Sequence, residues 1–395
     1  MIGREIYLNL LRNSKNRQII KVITGIRRCG KSTVLELFQD ELKKDGIGEK
    51  QIISINFEDP DNDGLKSYKT LYDHVSSKLQ SGKMNYIFLD EIGLVDEWQK
   101  CVDGLFIKKN CDVYVTGSNS YMLSSELATL ISGRYIEIKM LPLSFNEYIS
   151  YTGNADLMKK YRVYLENSSF PYLVDVTDRK QIRAYLDSIY NTVILNDVVA
   201  RKKIADASVL QSVARFMFDN IAKITSTNKI NDTLNSAGRK ISLPTVETYI
   251  DALCKCFMLY RVGRYDIKGK QHLKTGDKYY LADIGLRTYL LGRNSVDMSK
   301  SLENVVYLEL LRRGYEVYIG KVHDREVDFI AIGDEGPEYY QVSVTTRDEK
   351  TLARELNSLN KINDHNPKFL LTLDEDPLTS YNGIKKINAL DWLMC

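Results

Sequence analysis

The chain has 395 residues, more than one hydrophobic core usually holds, so at roughly 100–200 residues per domain it calls for two to four of them. With 44% apolar and 27% charged residues, only 7 Pro and 23 Gly, the composition excludes collagen-like and largely disordered chains. Fifty-five Lys and Arg against 52 Asp and Glu leave a formal charge of +3, too little for a dedicated nucleic-acid coat, so any basic surface must be local.

The six cysteines show no CxxC spacing and the four histidines lie far apart, which argues against a zinc knuckle or a disulfide framework and fits a reducing cytoplasm. The N-terminus lacks a long apolar core and no run of about 18 apolar residues occurs, so neither secretion nor membrane spanning is expected.

From Gln18 onward, five short β-rich runs alternate with helical stretches: QIIKVITG, QIISINFED, NYIFLDEIG, DVYVTGSNS and RYIEIKM. Near-continuous apolar strands alternating with helices predict an α/β fold with a parallel sheet covered on both faces. The pattern turns helical from about Tyr151 to Ala237. Next, Ser242 reads as an N-cap and Pro244 as a first-turn residue, with Val246, Ile250, Leu253 and Phe257 at helical spacing. The alternating strands MLYRVGRYD and KYYLADIGL follow, and a helix leading into a hairpin resembles a winged helix. From Ser301 the order reads helix, three strands, helix, strand.

The strongest motif is Gly25-Ile26-Arg27-Arg28-Cys29-Gly30-Lys31-Ser32, between a strand and a helix, with Thr33 as a secondary phosphate contact. In GxxxxGK[ST], the glycines let backbone N–H groups and a helix N-terminus surround a β-phosphate; Lys31 reaches the β/γ oxygens and Ser32 ligates Mg²⁺. Its partner, Tyr86-Ile87-Phe88-Leu89-Asp90-Glu91, ends a strand in two carboxylates at the edge where open α/β sheets hold ligands. Asp90 is expected to hold the Mg²⁺ shell and Glu91 to orient or deprotonate the attacking water. Of the polar residues Thr116, Ser118, Asn119 and Ser120 after the next apolar run, Asn119 is the choice for contacting the γ-phosphate or the water. Arg134 either serves a neighbouring subunit's nucleotide or forms a plain surface salt bridge.

Together, GIRRCGKST, IFLDEI, the GSNS strand end, SGRYIEI and LPLSFNEY resemble a prokaryotic ATPase branch of the AAA+ superfamily in which a P-loop domain precedes a DUF4143-type region of unknown function. YLENSSFPYLV is similar to that family's GGFP segment, with Ser168 and Ser169 where glycines are usual, and NDVVARKKI, KYYLADIGLR, SLENVVYLEL, REVDFI and YYQVSV also correspond. The resemblance covers nearly the whole chain, although no second sensor arginine is assignable in the helical region. It implies an ATPase core (1–150), a helical lid (151–237), a winged-helix-like unit (238–295) and a C-terminal domain (296–395). Its cofactors would be ATP and Mg²⁺. A homo-oligomer follows, with a hexameric ring as one arrangement open to it, acting in the cytoplasm on DNA or a protein client.

Glu303, Asp328 and Gln341 resemble the acidic core of PD-(D/E)xK nucleases, which would make them metal ligands, but Ser343 stands where the lysine belongs and carries no positive charge. This favours a nuclease-like fold used for binding or assembly, with Lys321 as a lysine that could migrate into the site. In the winged-helix-like unit, Thr245, Glu247 and Thr248 would face DNA, with Arg261, Arg264, Lys268 and Lys270 on its phosphates; the same unit could equally pack as a protein-interaction module. Two other functions stay open: a nucleotide-gated, metal-dependent nuclease and a slow signalling NTPase switch.

Overall fold

The five N-terminal runs form one wholly parallel sheet in the computed structural model of the chain, which describes residues 2–123, 131–153, 155–200, 207–239, 241–292 and 297–395. Its strands are β1 (Ile20–Thr24), β2 (Ile52–Asn56), β3 (Asn85–Asp90), β4 (Cys111–Gly117) and β5 (Tyr135–Lys139), in the order β2-β3-β4-β1-β5. Helices α1 (Glu5–Ser14), α2 (Lys31–Lys44), α3 (Tyr68–Lys78) and α4 (Trp98–Phe106) accompany it.

Successive side chains of a strand point to opposite faces, and both faces are covered here. Ile87, Leu89, Val113 and Val115 pack with Leu71 and Val75 of α3 and Trp98, Val102 and Leu105 of α4. On the other face, Phe88 stacks on Tyr114 at 4.8 Å between centroids, and Phe38 of α2 meets them at 6.3 and 5.4 Å. Each such side chain contributes about 1.5–3 kcal/mol by leaving water. That double coverage is why the strands read as unbroken apolar runs. Because β4 lies between β1 and β3, the C-terminal ends of these three strands sit side by side.

The residues divide into two compact units, 1–142 with 255–257, and 143–254 with 258–395. The second begins with helices α5 (Phe145–Thr152), α6 (Leu157–Asn167), α7 (Arg179–Thr192), α8 (Ala207–Asp219), α9 (Thr227–Ser236) and α10 (Leu243–Lys255). Strands β6 (Leu259–Asp266) and β7 (Gln271–Leu281), then helices α11 (Ile284–Leu291) and α12 (Met298–Arg312), follow. The chain ends in β8 (Glu316–Val322), β9 (Arg325–Gly333), β10 (Gly336–Ser343), α13 (Glu349–Asn360), β11 (Lys368–Thr372), β12 (Thr379–Tyr381), β13 (Ile384–Asn388) and α14 (Ala389–Met394).

Eight strands form a single sheet, β12-β13-β11-β10-β9-β8-β6-β7. This corrects the expectation of a separate winged-helix-like unit: β6 pairs in parallel with β8, from Arg264↔Ile319 to Asp266↔Lys321, so the hairpin is the edge of the C-terminal sheet. The helical stretch joins it too, since Ala222 N–H donates to Tyr279 O (3.1 Å) and Thr225 N–H to Asp277 O (3.0 Å). The expected boundary at 295/296 and residues 201–204 of NDVVARKKI lie outside the described residues.

Two of the family-like segments meet inside this unit. Asp283 caps α11 by accepting from Leu286 N–H (2.9 Å), and it also accepts from Ser169 N–H (2.7 Å) and Ser169 Oγ–H (2.6 Å). Ser168 sits at φ +95°, a conformation that favours glycine, and a Cβ on Gly285 would lie 2.4 Å from Ser168 Cβ. Position 168 thus holds a serine in a backbone conformation that glycine adopts more readily. No helix among the described residues is long and apolar enough to cross a membrane.

Candidate nucleotide-binding site

The loop between β1 and α2 is held open by its glycines. Gly25 has φ +155°, and a Cβ there would lie 2.2 Å from Met140 O; Gly30, at φ +103°, caps the N-terminus of α2 in the left-handed region. Arg28 also has a positive φ of 65°. The turn leads directly into the first N–H groups of α2, where orphan donors and the helix dipole favour an anion. Lys31 is buried, and its Nζ donates to Gly25 O (3.1 Å) and Ile26 O (3.4 Å) and lies 3.4 Å from Glu91. Burial opposes its charge, yet Glu91 holds its pKa above the ordinary lysine value.

Ile26 and Cys29 are buried beneath the loop, the Cys29 thiol 3.6 Å from Met140 O, and burial pushes that thiol's pKa up. Arg27 is paired with Glu58 at 2.8 Å. Ser32 and Thr33 follow in the first turn of α2.

Asp90 and Glu91 end β3 beside this loop. Burial raises the Asp90 pKa; hydrogen bonds from Ser32 and Thr116 oppose the rise. Thr116 Oγ1 donates to Asp90 Oδ1 (2.5 Å) and accepts from Glu91 N–H (2.8 Å), while Ser118 N–H donates to Glu91 Oε2 (3.1 Å). Glu91 itself has φ +52°. The strand-end contacts to the carboxylate pair therefore come from Thr116 and Ser118; Asn119 lies buried at the same end. The Ser32 hydroxyl and the Asp90 carboxylate form an oxygen donor set that fits Mg²⁺, which takes a few protein oxygens and completes its shell with phosphate and water.

Arg134 is not part of this chain's site. It directly precedes β5, and the parallel register Ile20↔Tyr135 puts it where the strands start, whereas the phosphate loop lies where they end. It pairs with Asp103 and stands 5.6 Å over the Phe106 ring.

Arg4 had no motif to mark it. Its buried guanidinium donates to Cys29 O in the phosphate loop (2.9 Å) and to Leu141 O (2.6 Å), and stacks 4.9 Å over Tyr7, whose hydroxyl accepts from Leu141 N–H (2.9 Å). Through this residue α1 braces the phosphate loop from behind.

In the C-terminal sheet, the expected metal ligands are otherwise engaged. Lys278 Nζ on β7 lies 2.8 Å from Glu303, 2.7 Å from Glu326 and 3.8 Å from Asp328. Asp328 Oδ2 accepts from Val342 N–H (2.9 Å), and Gln341 Nε2 donates to Glu355 (2.8 Å). Among the described residues, no group of three or more His, Cys, Asp or Glu is arranged to hold a metal ion. Of the three expected metal ligands, Glu303 and Asp328 thus face an ammonium and Gln341 pairs with Glu355. The ammonium beside these carboxylates is that of Lys278. At the hairpin, Arg261 pairs with Asp277 at 2.5 Å, Arg264 is half-buried, and Lys268 and Lys270 are exposed. On α10, Thr248 Oγ1 donates to Pro244 O and Thr227 Oγ1 to Glu247; Thr245 pairs with Ser242.

Comparison with known proteins agrees with the first site. A family profile described as an AAA domain matches residues 17–149, and a domain of unknown function, DUF8612, matches 158–297. The C-terminal region is therefore of that type and not DUF4143. An uncharacterized protein of Haemophilus influenzae is 38% identical over 400 residues, covering 100% of this chain and 99% of its own. One of Methanocaldococcus jannaschii is 29% identical over 416 residues, covering 99% and 88%. Among solved structures, the Walker-type ATPase of Pyrococcus abyssi superposes with a TM-score of 0.50 at 15% identity, covering 74% of this chain and 96% of its own. A parallel sheet carrying GxxxxGKS and Asp-Glu at the ends of the two strands that flank β4, within an AAA domain, supports nucleotide binding and hydrolysis. Residues 17–149 are thus a P-loop AAA domain, and the chain belongs to one family with the uncharacterized Haemophilus influenzae protein.

Proposed function

We propose that this chain is a Mg²⁺-dependent ATPase whose nucleotide cycle switches a homo-oligomeric assembly acting, in the cytoplasm, on DNA or a protein client. The observation that carries the reading is the 3.4 Å pair between Lys31 and Glu91. Lys31 satisfies its charge on its own loop carbonyls and on the carboxylate best placed to activate water. A polyphosphate in the loop would offer Lys31 a stronger partner and release Glu91 to orient a water at the γ-phosphorus. Ser32 and Asp90 are the residues that would hold Mg²⁺, which when bound neutralises phosphate charge. Thr116 keeps Asp90 aimed, and Ser118 holds the Glu91 carboxylate at the strand end.

Sizing of the Glu91→Gln protein by gel filtration, with and without ATP and with and without duplex DNA, tests the assembly and the client together. An increase in size that requires ATP supports the switch, and co-elution of DNA identifies the client class. The same elution volume with and without ATP rejects an ATP-driven assembly.

A further inference from the structure

The acidic cluster of the C-terminal sheet carries a cation of its own. Three carboxylates, Glu303 from α12 and Glu326 and Asp328 from β9, converge on the single buried ammonium of Lys278. Carboxylates gathered in a buried place must be neutralised by protonation, a metal or a fixed positive side chain. Here a fixed charge is present: burial opposes the Lys278 charge, but Glu303, Asp328 and Glu326 hold its pKa well above the ordinary lysine range, while burial and then Glu303 push the Asp328 carboxyl up toward its neutral form. Further hydrogen bonds surround the cluster. Tyr280 O–H donates to Glu303 (2.7 Å), Val342 N–H to Asp328 (2.9 Å), and Gln341 Oε1 accepts from Asp328 N–H (3.4 Å) while its amide donates to Glu355.

We propose that Lys278 is the resident counter-ion of this cluster, standing where a divalent metal would otherwise sit, so that these carboxylates hold no metal. Two further features fit. Lys278 is 3% exposed, so its charge is committed to these carboxylates rather than to solvent. It is also delivered by β7, the outermost strand of the sheet, so the same ion network that fills the metal position fastens the hairpin to α12 and β9. A lysine from outside the helix–three-strand–helix–strand core thereby converts an acidic pocket into a structural clasp.

The test is the melting temperature of the full, nucleotide-free chain in EDTA and in millimolar Mn²⁺, for wild type, Glu303→Gln, Lys278→Ala and Lys278→Ala/Glu303→Gln. Wild type should melt alike in both buffers, apart from any shift that Glu303→Gln shares, which belongs to the phosphate loop. Lys278→Ala should melt roughly 10 °C lower in EDTA, because it strands buried carboxylates. Mn²⁺ should recover part of that loss, and Glu303→Gln should recover part of it without metal by removing one charge. A Mn²⁺ shift in wild type that Glu303→Gln abolishes would show that the carboxylates bind metal and overturn the proposal. So would Lys278→Ala melting like wild type, or failing to respond to both Mn²⁺ and the second substitution. Should Lys278→Ala alone give no folded protein, a folded double variant supports the proposal and an unfolded one overturns it.

Discussion

Replacing Thr116 by Val keeps the shape of the side chain and removes one oxygen. That oxygen belongs to a fully buried residue, donates to Asp90 at 2.5 Å and accepts from Glu91 N–H at 2.8 Å. A hydrogen bond to a charged group contributes about 1.5–3 kcal/mol. At about 1.4 kcal/mol per factor of ten, losing it from the Mg²⁺-bearing carboxylate should lower kcat/KM for ATP roughly 10- to 150-fold at limiting Mg²⁺. Excess Mg²⁺ should restore part of the loss, and Thr116→Ser should restore most of it. The pH profile adds a sign. Burial already raises the Asp90 pKa and Thr116 opposes the rise, so without Thr116 the carboxylate protonates at higher pH, and activity should fall earlier as the solution is acidified. Phosphate release measured against Mg²⁺ concentration and pH checks all three expectations. A Thr116→Val protein within twofold of wild type at limiting Mg²⁺, with an unshifted acid limb, would refute the role given to this hydroxyl.

Arg4→Met should destabilise the N-terminal unit by roughly 2–4 kcal/mol in urea unfolding, because it leaves the Cys29 and Leu141 carbonyls without their buried charged donor, and it should weaken nucleotide binding through the loosened loop. Asp374 gives a pH prediction in the C-terminal unit. Burial would raise its pKa, but hydrogen bonds from Thr345, Thr346 and Lys386 hold it at about 2, below the ordinary 3.8. Its folded-state value lies below the unfolded one, so its contribution is complete above about pH 4–5 and is lost as pH falls through 2. Asp374→Asn should therefore remove on the order of 1–2 kcal/mol at neutral pH and flatten acid unfolding between pH 4 and 2, as followed by circular dichroism.

The phosphate loop and the Asp90-Glu91 pair were legible because their chemistry sits in contiguous residues whose spacing is set by one strand–turn–helix. Thr116 was within reach as well. Phe88 and Tyr114 are register partners that stack on one face, and carrying that period of two one step further puts Asp90 and Thr116 on the same face. Asn119 lies beyond the end of β4 at Gly117, where the alternation no longer applies. Arg134 followed from strand direction alone, once β5 is parallel to β1. The hairpin's membership of the C-terminal sheet was hidden, since it depends on β6 pairing with β8 across some fifty residues. Lys278 was hidden for the same reason: only the folded unit brings its ammonium to carboxylates on α12 and β9, which come later in the chain. Ser168 carried a local signal, since the resemblance expects glycine there, and its positive φ is a conformation that favours glycine.

The most direct test of the central claim compares ATP binding with ATP turnover in wild type, Lys31→Ala and Glu91→Gln at saturating Mg²⁺. Glu91→Gln should bind ATP within a few-fold of wild type and hydrolyse it roughly 10²- to 10³-fold more slowly, since general-base action contributes about that much. Lys31→Ala should bind no ATP at concentrations that saturate wild type. Unchanged hydrolysis by Glu91→Gln, or undiminished binding by Lys31→Ala, would contradict an ATPase built on this loop and this carboxylate.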